Sequence, residues 1–494
     1  MASIIRDLIV EKIRQAVEEA HRDGILRLDT MPDIAVEHPS NPEHGDFATS
    51  LPLRLARVVR ISPMKIAEEL VNLIPVGDEV EGVSVAAPGF INFRLKDRWL
   101  AGQVDVIREA GQSYGVVGSS LGQKVLVEYV SVNPTGPVHV GHTRGAVLGS
   151  TLARVLDAGG HAVSRVYYFY DAGWEMEAFY KQALGHEAEL PPNGYAGAYI
   201  MDIAREIVAR EGDRFISMSE EGALVELGRI AREMMVQLIR EDLQHIGVEF
   251  DSWFSEGSLY QSGEYDKVID ILRREGYVSE REGAQWFTST ALGDEKDNVI
   301  IRSTGVPTYF ASDIAYHYDK FIRRGYDRAI NIWGADHQGH VARMNAAVAA
   351  LGVEPGRLTT MISQMVTLRR GQEVVRASKR TGEFITLREL VDEVGADACR
   401  YFFLARTPST QMEFDLELAK KESSENPVYY VQYGHARIGA ILNNAMDRGI
   451  DWSEGDTSLL VQPTEAALIR KMVLLPELVE SMARTLEPHH LPHY

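Results

Sequence analysis

Strand patterns alternate with helix patterns along the middle of the chain. Apolar runs at 124–130, 161–171, 327–337 and 359–368 predict strands, and helical periodicity marks 141–160 and 339–351. Strands that alternate with helices form a parallel, doubly wound sheet. Ligands of such sheets bind beyond the carboxyl ends of the strands. The chain is therefore expected to contain an α/β domain with its functional site at that edge.

The remaining segments predict two flanking domains and an insertion. Residues 1–115 combine a helix over 4–20 with an alternating strand pair in VSVAAPGFINFRL, which indicates an α+β domain. Residues 116–394 make up the α/β domain, with a largely helical insertion around 172–300. Residues 395–494 have helical patterns only and predict an α-helical bundle. No run of about 18 apolar residues occurs, so no membrane span is expected, and the charged N-terminus does not resemble a signal or transit peptide.

The balance of charges limits the classes of partner. The 494 residues include 51 Lys and Arg against 71 Asp and Glu, a formal charge of −20. Nucleic-acid binding needs clustered Lys and Arg, so it would require a basic face on an acidic body. The single cysteine, Cys399, lies among large apolar residues and is expected to be buried. One cysteine cannot form a disulfide within the chain, which fits a reducing cytoplasm.

The first helix of the α/β domain begins within PTGPVHVGHTRG, residues 134–145. A strand, a glycine-containing loop and a helix N-terminus form an anion site, because free N–H groups and the helix dipole favour phosphate. Gly141 permits close approach of a nucleotide, and His139 and His142 can face one ligand. Imidazole groups can donate hydrogen bonds to phosphate as charge develops.

Two alternatives stand beside this nucleotide-binding interpretation. One is a pair of ordinary histidines at a helix start, and the other is a zinc site. No cysteine and no third ligand is evident near the two histidines, and zinc has no use for the glycine-rich loop. The pattern therefore favours a nucleotide, and no metal site is expected.

A basic segment follows the last predicted strand. VVRASKRTGEFITL, residues 374–387, places Arg376, Lys379 and Arg380 around Ser378. Alone, it is typical of a solvated charged loop. Combined with His-x-Gly-His in one parallel sheet, it predicts a phosphate clamp, in which Lys379 stabilises charge on an α-phosphate and on leaving pyrophosphate.

These two segments resemble the two signatures of class I aminoacyl-tRNA synthetases. HVGH matches His-x-Gly-His, and RASKR matches the Lys-Met-Ser-Lys-Ser loop, with Arg376 and Ala377 in place of its first Lys and Met. Further segments are similar to arginyl-tRNA synthetases, bacterial members above all, over nearly the whole chain: VEYVSVNPTGPVHVGHTRGAVLG, SNPEHGDFATSLPLRLAR, APGFINFRL, YFASDIAYHYDK, WGADHQGH, GADACRYFFL and NPVYYVQYGHARI. The resemblance implies a multidomain α/β protein with a Rossmann-like class I catalytic domain, an additional N-terminal tRNA-binding domain and an anticodon-binding helical bundle.

The resemblance implies an arginine–tRNA ligase. L-Arginine and ATP, as its Mg²⁺ complex, would give arginyl-adenylate and pyrophosphate, and arginine would pass to the 3′-terminal ribose of tRNA(Arg). His139, His142 and Lys379 would be the catalytic residues. No permanently bound cofactor is implied, and a cytoplasmic monomer is expected. Two other classes remain open, namely another His-x-Gly-His nucleotidyltransferase and a non-catalytic tRNA-binding paralogue.

The resemblance also implies the binding residues, with carboxylates for the guanidinium group. The arginine site would be Glu128, Ser131, Asn133, His139, Tyr309, Asp313 and His337. The ATP site would be His139, Gly141, His142, Gly334, Asp336, His337, Met365, Val366, Ser378 and Lys379. The tRNA contacts would be Asn41, Phe47, Arg54 and Arg437. From the residues alone, Glu128 also fits an acid on a strand edge, Asp313 a helix cap, and Met365 with Val366 a plain core strand.

Two features depart from the family pattern. Many members have Asn-Asp-x-Gly-Asn-Gln after the second strand, where this chain has YDAGWE at 170–175 and retains Asp171 and Gly173. Family chains also continue beyond PHHLPHY through more of the anticodon-binding bundle. We therefore expect weakened tRNA discrimination and a frayed C-terminal bundle.

Overall fold

The computed structural model describes residues 5–118, 122–169, 198–375, 385–453 and 455–494 of the chain. These residues pack into two compact units. The N-terminal unit contains residues up to 118 together with 442–484, and the central unit contains 119–441 together with 485–494. The segment 170–175 and the basic residues 376–384 lie outside the described residues.

The α-helices of the described residues are, in chain order, α1 (Ile5–Arg22), α2 (Leu51–Val59), α3 (Pro63–Leu73), α4 (Asp97–Ala110), α5 (Val140–Ala158), α6 (Ala198–Glu211), α7 (Glu220–His245), α8 (Gly257–Gln261), α9 (Glu264–Arg274), α10 (Tyr309–Tyr318), α11 (Val341–Ala350), α12 (Leu387–Val394), α13 (Ala396–Leu404), α14 (Leu416–Lys420), α15 (Pro427–Asp447), α16 (Pro463–Val473) and α17 (Leu475–Thr485). A π-helical turn, Asp319–Arg323, continues α10.

The strands of the described ranges form four sheets. In chain order they are β1 (Phe47–Thr49), β2 (Val80–Ala86), β3 (Phe90–Leu95), β4 (Lys124–Glu128), β5 (Ala162–Phe169), β6 (Ser252–Ser255), β7 (Val278–Arg281), β8 (Ala284–Phe287), β9 (Asn298–Ile301), β10 (Arg328–Gly334), β11 (Leu358–Ser363), β12 (Val366–Arg370), β13 (Glu373–Val374) and β14 (Met412–Asp415).

The N-terminal unit is built on a three-stranded antiparallel sheet of order β1-β3-β2. The predicted strand pair of this unit is thereby confirmed. Helix α1 buries the apolar face that its periodicity predicts, including Ile9, Ile13 and Val17 at 0% exposure. Gly45 has a φ of 94°, and a Cβ there would lie 2.5 Å from the Phe93 carbonyl oxygen, so only glycine fits beside β3.

Helix α16 belongs to the same unit. Ile469 is buried in the apolar core that α1 helps to form. Arg470 donates to Asp46 at 2.7 Å and to Asp97 at 3.1 Å. The predicted C-terminal helices are present as α15, α16 and α17, and residues 442–484 belong to the N-terminal unit because apolar and charged side chains near 470 complete its core.

The central unit contains a five-stranded parallel sheet of order β11-β10-β4-β5-β6. Helix α5 follows β4, and α11 follows β10. This is the doubly wound arrangement expected from the alternating pattern. After β4 the chain adds β5 and then β6 on one side of the sheet, and it later adds β10 and then β11 on the other side of β4. The strand order therefore reverses at β4. Ligands of open parallel sheets bind where the strand order reverses.

Helix α5 packs closely against the residue after β4. A Cβ on Gly149 would lie 2.2 Å from Cγ of Tyr129, so the absence of a side chain at 149 permits this approach. Tyr129 itself is 0% exposed and donates to the Glu249 carbonyl at 3.0 Å. This contact sets the distance between α5 and the sheet, and so positions the N-terminus of α5.

The region around 172–300, predicted to be largely helical, contains α6, α7, α8 and α9, together with β6, which adds to the main sheet, and β7, β8 and β9, which form an antiparallel sheet. Two other predictions about the central unit were wrong in detail. The run 359–368 is not one strand, since β11 and β12 belong to different sheets. Residues after 395 are not helical only, because β14 pairs in parallel with β12.

Cys399 is buried, as predicted, at 0% exposure in α13. Burial raises the pKa of its thiol to about 12, so it stays protonated. Among the described residues, no helix is both long enough and apolar enough to cross a membrane.

Candidate active site

The segment between β4 and α5 has unusual backbone geometry. Val130 and Ser131 have φ values of 66° and 43°, in the left-handed region that β-branched residues rarely adopt. The Ser131 hydroxyl accepts from the Tyr168 N–H at 3.1 Å, and Tyr167 donates to the Val132 carbonyl at 2.9 Å. Neighbouring β5 therefore holds the strained turn in place, and strain of this kind concentrates at functional sites. Asn133 follows it and is exposed.

His139 caps the N-terminus of α5. Its Nδ1 accepts from the Gly141 N–H at 3.1 Å. The rings of His139 and His142 lie 3.8 Å apart. A Cβ on Gly141 would lie 2.9 Å from the His139 ring, so glycine is what permits this cap. Two imidazoles, with their planes tilted by 35°, thus lie side by side at a helix N-terminus, where the dipole favours anions.

The residues after the basic segment contact this helix start. The N–H of Val140 donates to the Ile385 carbonyl at 3.2 Å, and the N–H of Leu387 donates to the Val138 carbonyl at 2.6 Å. Thr386 and Glu389 form a capping box at the start of α12. Ser378 and Lys379 lie outside the described residues, but the chain that follows them is hydrogen-bonded to His-x-Gly-His.

The carboxyl end of β10 lies beside that of β4. Gly334 ends β10, and Asp336 and His337 follow it in a 3₁₀ turn, both exposed, with 3.5 Å between Asp336 Oδ2 and His337 Nε2. His340 was not predicted. Burial and the nearby charges of Arg343 and His337 lower its pKa to about 4, so its imidazole is neutral near pH 7.

The residues proposed to read adenine lie at the break between β11 and β12. Met365 has a side chain 70% exposed, and its carbonyl accepts from the Met412 N–H at 3.3 Å. Val366 begins β12 and is half-buried. The break is what brings this backbone to the surface, so the two residues do not lie in a plain core strand.

Arg144 holds this break against α5, and sequence reasoning missed it. The side chain is 1% exposed, and its guanidinium donates to the Gln364 carbonyl at 3.0 Å, the Thr410 carbonyl at 2.7 Å and the Thr407 carbonyl at 2.8 Å. Burial lowers the pKa of Arg144. A charged residue near the start of a helix is usually solvated, so no sequence signal indicates these three acceptors.

Helix α10 carries Tyr309 and Asp313 four residues apart, on one face. Tyr309 is 58% exposed and Asp313 is half-buried. Thr308, the residue before α10, donates its hydroxyl to the Val299 carbonyl at 2.9 Å, which ties the helix start to β9. Asp313 does not cap α10, since it lies in its second turn.

Glu128 ends β4 and is 4% exposed, so it is not an edge acid. Its carboxylate accepts from Lys320, which is 0% exposed. Lys320 also donates to Asn331 of β10 at 2.9 Å, and Asn331 donates to His317 at 2.9 Å. Burial and the Lys320 charge lower the pKa of His317 well below its usual range. The sequence analysis predicted no role in the site for Lys320, Asn331 or His317, because the segment KFIRR is typical of a solvated basic surface.

The residues proposed to contact tRNA occupy different environments. Asn41 is exposed and caps a short 3₁₀ turn through the Glu43 N–H at 3.0 Å. Arg54 and Arg437 are exposed. Phe47 is 1% exposed, and its ring packs on His38 with 4.4 Å between centroids. The role expected for Phe47 is therefore not supported, because its ring fills the core of the N-terminal unit.

Comparison with known proteins identifies the family. The description "tRNA synthetases class I (R), catalytic domain" matches residues 105–403. An arginine–tRNA ligase of Dehalococcoides mccartyi is 54% identical over 99% of this chain and 89% of its own length. The chain belongs to the arginyl-tRNA synthetase family. It is an aminoacyl-tRNA synthetase of class I and, within that class, an arginine–tRNA ligase.

Two other family descriptions match the flanking parts of this synthetase. "Arginyl tRNA synthetase N terminal domain" matches residues 7–95, and "DALR anticodon binding domain" matches residues 431–494. A solved arginyl-tRNA synthetase of Campylobacter jejuni superposes with a TM-score of 0.74 at 35% identity, covering 81% of this chain and 88% of that one. The arginyl-tRNA synthetase of Thermus thermophilus shares the fold, with a TM-score of 0.76 at 23% identity, 99% of this chain and 89% of that one.

Proposed function

We propose that this synthetase activates L-arginine with ATP and transfers it to the 3′-terminal ribose of tRNA(Arg). The observation that carries the proposal is the His139–His142 pair, whose ring centroids lie 3.8 Å apart at the N-terminus of α5. The intervening Val140 is hydrogen-bonded to Ile385, in the chain that follows Lys379. A helix N-terminus with two imidazoles at a sheet edge suits a polyphosphate whose charge grows during reaction.

ATP, accompanied by Mg²⁺ as part of the substrate, would lie along this edge. His139, Gly141, His142, Ser378 and Lys379 would contact the phosphates. The residues that would contact the ribose and adenine come from two neighbouring strand ends: Gly334, Asp336, His337, Met365 and Val366. The exposed position of Met365 and the position of Gly334 at the carboxyl end of β10 support this placement. Adenylation requires charge stabilisation and alignment rather than a protein nucleophile.

L-Arginine would bind between α10 and the end of β4. Tyr309 and Asp313 share one face of α10, which suits an aromatic wall beside a carboxylate that accepts from guanidinium. Ser131, Asn133, His139 and His337 would hold the α-amino and α-carboxylate groups. Glu128 would add a second carboxylate at the guanidinium end.

The reaction follows from this placement. An oxygen of the arginine carboxylate attacks the α-phosphorus in line, the bond to the β,γ-pyrophosphate breaks, and arginyl-adenylate forms. His139, His142 and Lys379 stabilise the negative charge that develops on the phosphates. The 2′-hydroxyl of the terminal adenosine then attacks the acyl carbon, and AMP leaves. The tRNA would be gripped by exposed residues, Asn41 and Arg54 in the N-terminal unit and Arg437 in α15. We propose a monomer working in the cytoplasm, where charged tRNA is used.

Arginine-dependent exchange of pyrophosphate into ATP, with tRNA(Arg) present, tests this function. Removing an electrostatic stabiliser from a transition state costs roughly 10²–10³-fold in rate, so Lys379→Ala and His142→Ala are expected to lose exchange by that factor. Lys421→Ala is the matched control, since Lys421 is an exposed lysine of the central unit that pairs with Glu425.

The same variants separate this function from its two rivals. A non-catalytic tRNA-binding paralogue would show no exchange in the unsubstituted protein and would keep its tRNA affinity in a filter-binding assay after Lys379→Ala. A different nucleotidyltransferase would show no dependence on arginine among the amino acids. Either result would overturn the proposal.

A further inference from the structure

The segment between β5 and β6 carries two helices, α6 and α7, that pack against each other as a hairpin. Each buries apolar side chains, among them Ile207 of α6 and Ile239 of α7, both at 0% exposure. Neither helix carries a residue of the proposed substrate sites. The start of α6 and the end of α7 nevertheless contact the two stretches of chain that hold His139.

Helix α6 contacts the chain that leads into His139. Tyr199, at the start of α6, donates its hydroxyl to the Thr135 carbonyl at 2.7 Å. A Cβ on Gly136 would lie 2.7 Å from the Tyr199 hydroxyl oxygen, so the absence of a side chain at 136 permits this close contact. The hydroxyl therefore restrains the backbone four residues before His139.

Helix α7 holds α12 on the other side. Asp242, in the last turn of α7, is 1% exposed and accepts from Nε of Arg388 at 2.8 Å. Three residues further on, Nε2 of His245 lies 2.8 Å from a carboxylate oxygen of Asp392, in an exposed contact. A buried carboxylate is costly without a charged partner, so the bond between Asp242 and Arg388 is the stronger of the two. Helix α12 is thus fixed to the end of the hairpin.

The start of α12 is joined to His139 through the main chain. Thr386, the N-cap of α12, forms an antiparallel bridge with His139. On either side of Thr386, hydrogen bonds of 3.2 and 2.6 Å join Ile385 and Leu387 to the residues that flank His139. Arg388 directly follows Leu387, so a displacement of Arg388 is passed to the backbone of His139.

We propose that the α6–α7 hairpin is a brace for the His-x-Gly-His turn, with Tyr199 and Arg388 as its positioning residues. Stabilisation of developing charge depends on donors that are already in place when the reaction begins. A misplacement of about 1 Å can cost about 100-fold in rate. The inference rests on the proposed function and adds two residues that act on it through His139 and His142.

Tyr199→Phe is the first test, because it removes one hydroxyl and keeps the ring. The kcat of arginine-dependent pyrophosphate exchange is expected to fall about tenfold, with both KM values within about twofold, since the histidine pair acts on charge that develops in the transition state. Loss of one hydrogen bond lowers the melting temperature by at most about 4 °C. Tyr401→Phe is the matched control, because the Tyr401 hydroxyl also donates to a carbonyl, that of Pro492, at 3.3 Å.

Arg388 gives a second test with a conservative rescue. Arg388→Met leaves Asp242 without its donor and is expected to lower kcat about tenfold and to lower the melting temperature. Arg388→Lys is expected to keep kcat within about threefold, because one hydrogen bond joins the two side chains and a lysine can supply it. Arg370→Met is the control, since Arg370 makes an exposed ion pair with Glu393 on the same helix.

A His142→Ala background separates positioning from a loss of stability. With one imidazole of the pair removed, Tyr199→Phe is expected to change kcat by about threefold or less, while its effect on melting temperature is retained. A tenfold loss that persists in this background would overturn the brace, and so would variants that match their controls.

The unsubstituted enzyme is measured first. An enzyme without arginine-dependent exchange would overturn the proposed function itself. Normal exchange that neither Tyr199→Phe nor Arg388→Met alters would overturn the brace and leave the proposed function intact.

Discussion

Arg144 offers the sharpest prediction about how the ATP site is held together. Its guanidinium, buried at the start of α5, donates to the carbonyls of Gln364, Thr407 and Thr410 at 2.7–3.0 Å. Arg144→Met keeps the stem of the side chain and removes all three donors. A buried carbonyl without a donor costs about 1–3 kcal/mol, and these carbonyls are partly buried, so the low end applies to each.

The three carbonyls together predict that Arg144→Met lowers the free energy of unfolding by about 3 kcal/mol. In a unit of this size, that loss corresponds to a fall of about 6 °C in melting temperature. The carbonyl of Gln364 immediately precedes Met365, the residue proposed to contact adenine. The KM for ATP is therefore expected to rise more than the KM for arginine.

Thermal unfolding followed by circular dichroism and pyrophosphate exchange at varied ATP measure these two effects. Arg154→Met is the control, because Arg154 lies on the same helix, is exposed and donates to a single carbonyl, that of Gly247, at 2.9 Å. Equal melting temperatures for Arg144→Met and Arg154→Met would refute the reasoning. So would an unchanged KM for ATP.

Three further predictions concern packing, charge and capping. Gly149→Ala is expected to lower the melting temperature, because the new Cβ would clash with Tyr129 at 2.2 Å, whereas Gly145→Ala meets no neighbour within 4 Å and serves as the control. Hydrogen bonding to Arg370 lowers the pKa of Glu393 to about 2, so the stability that the charged form contributes is complete above the unfolded value of 4.5 and is lost as pH falls toward 2. The difference in melting temperature between the unsubstituted enzyme and Glu393→Gln should therefore shrink from pH 6 to pH 3. A difference that stays constant with pH would contradict this contribution of the charged form. Thr386→Ala removes the N-cap of α12 and should cost about 1 kcal/mol in chemical denaturation; no loss would show that the capping box contributes nothing.

Local patterns in the sequence predict the elements that carry the nucleotide site. The apolar run before His139 and the helical periodicity after it indicate β4 and α5, and the alternation indicates a parallel sheet. Short strands such as β6 could not be predicted in this way, because its sequence SWFS has only four residues and no distinctive period. Periodicity also does not predict the break between β11 and β12, since Ser363 and Gln364 interrupt the run without a glycine or proline.

Long-range polar contacts are the part of the site that no local pattern indicates. Lys320 and Glu128 lie 192 residues apart in sequence, and Lys320 stands among basic residues typical of a solvated face. Its burial depends on the π-helical turn after α10, which has no sequence signature. Phe47 was predicted to lie in the tRNA-binding site because it is an aromatic residue in a family motif. Its burial instead places it in the core.

Calorimetric titration with arginine, in the presence of a non-hydrolysable ATP analogue and tRNA(Arg), tests the central claim most directly. Citrulline and lysine are the controls, since citrulline keeps the shape of arginine without its charge, and lysine keeps the charge without the guanidinium fork. Binding of arginine, with citrulline and lysine at least about 100-fold weaker, is the predicted result. Equal binding of arginine and citrulline, or binding of neither, would contradict an arginine site built around Asp313.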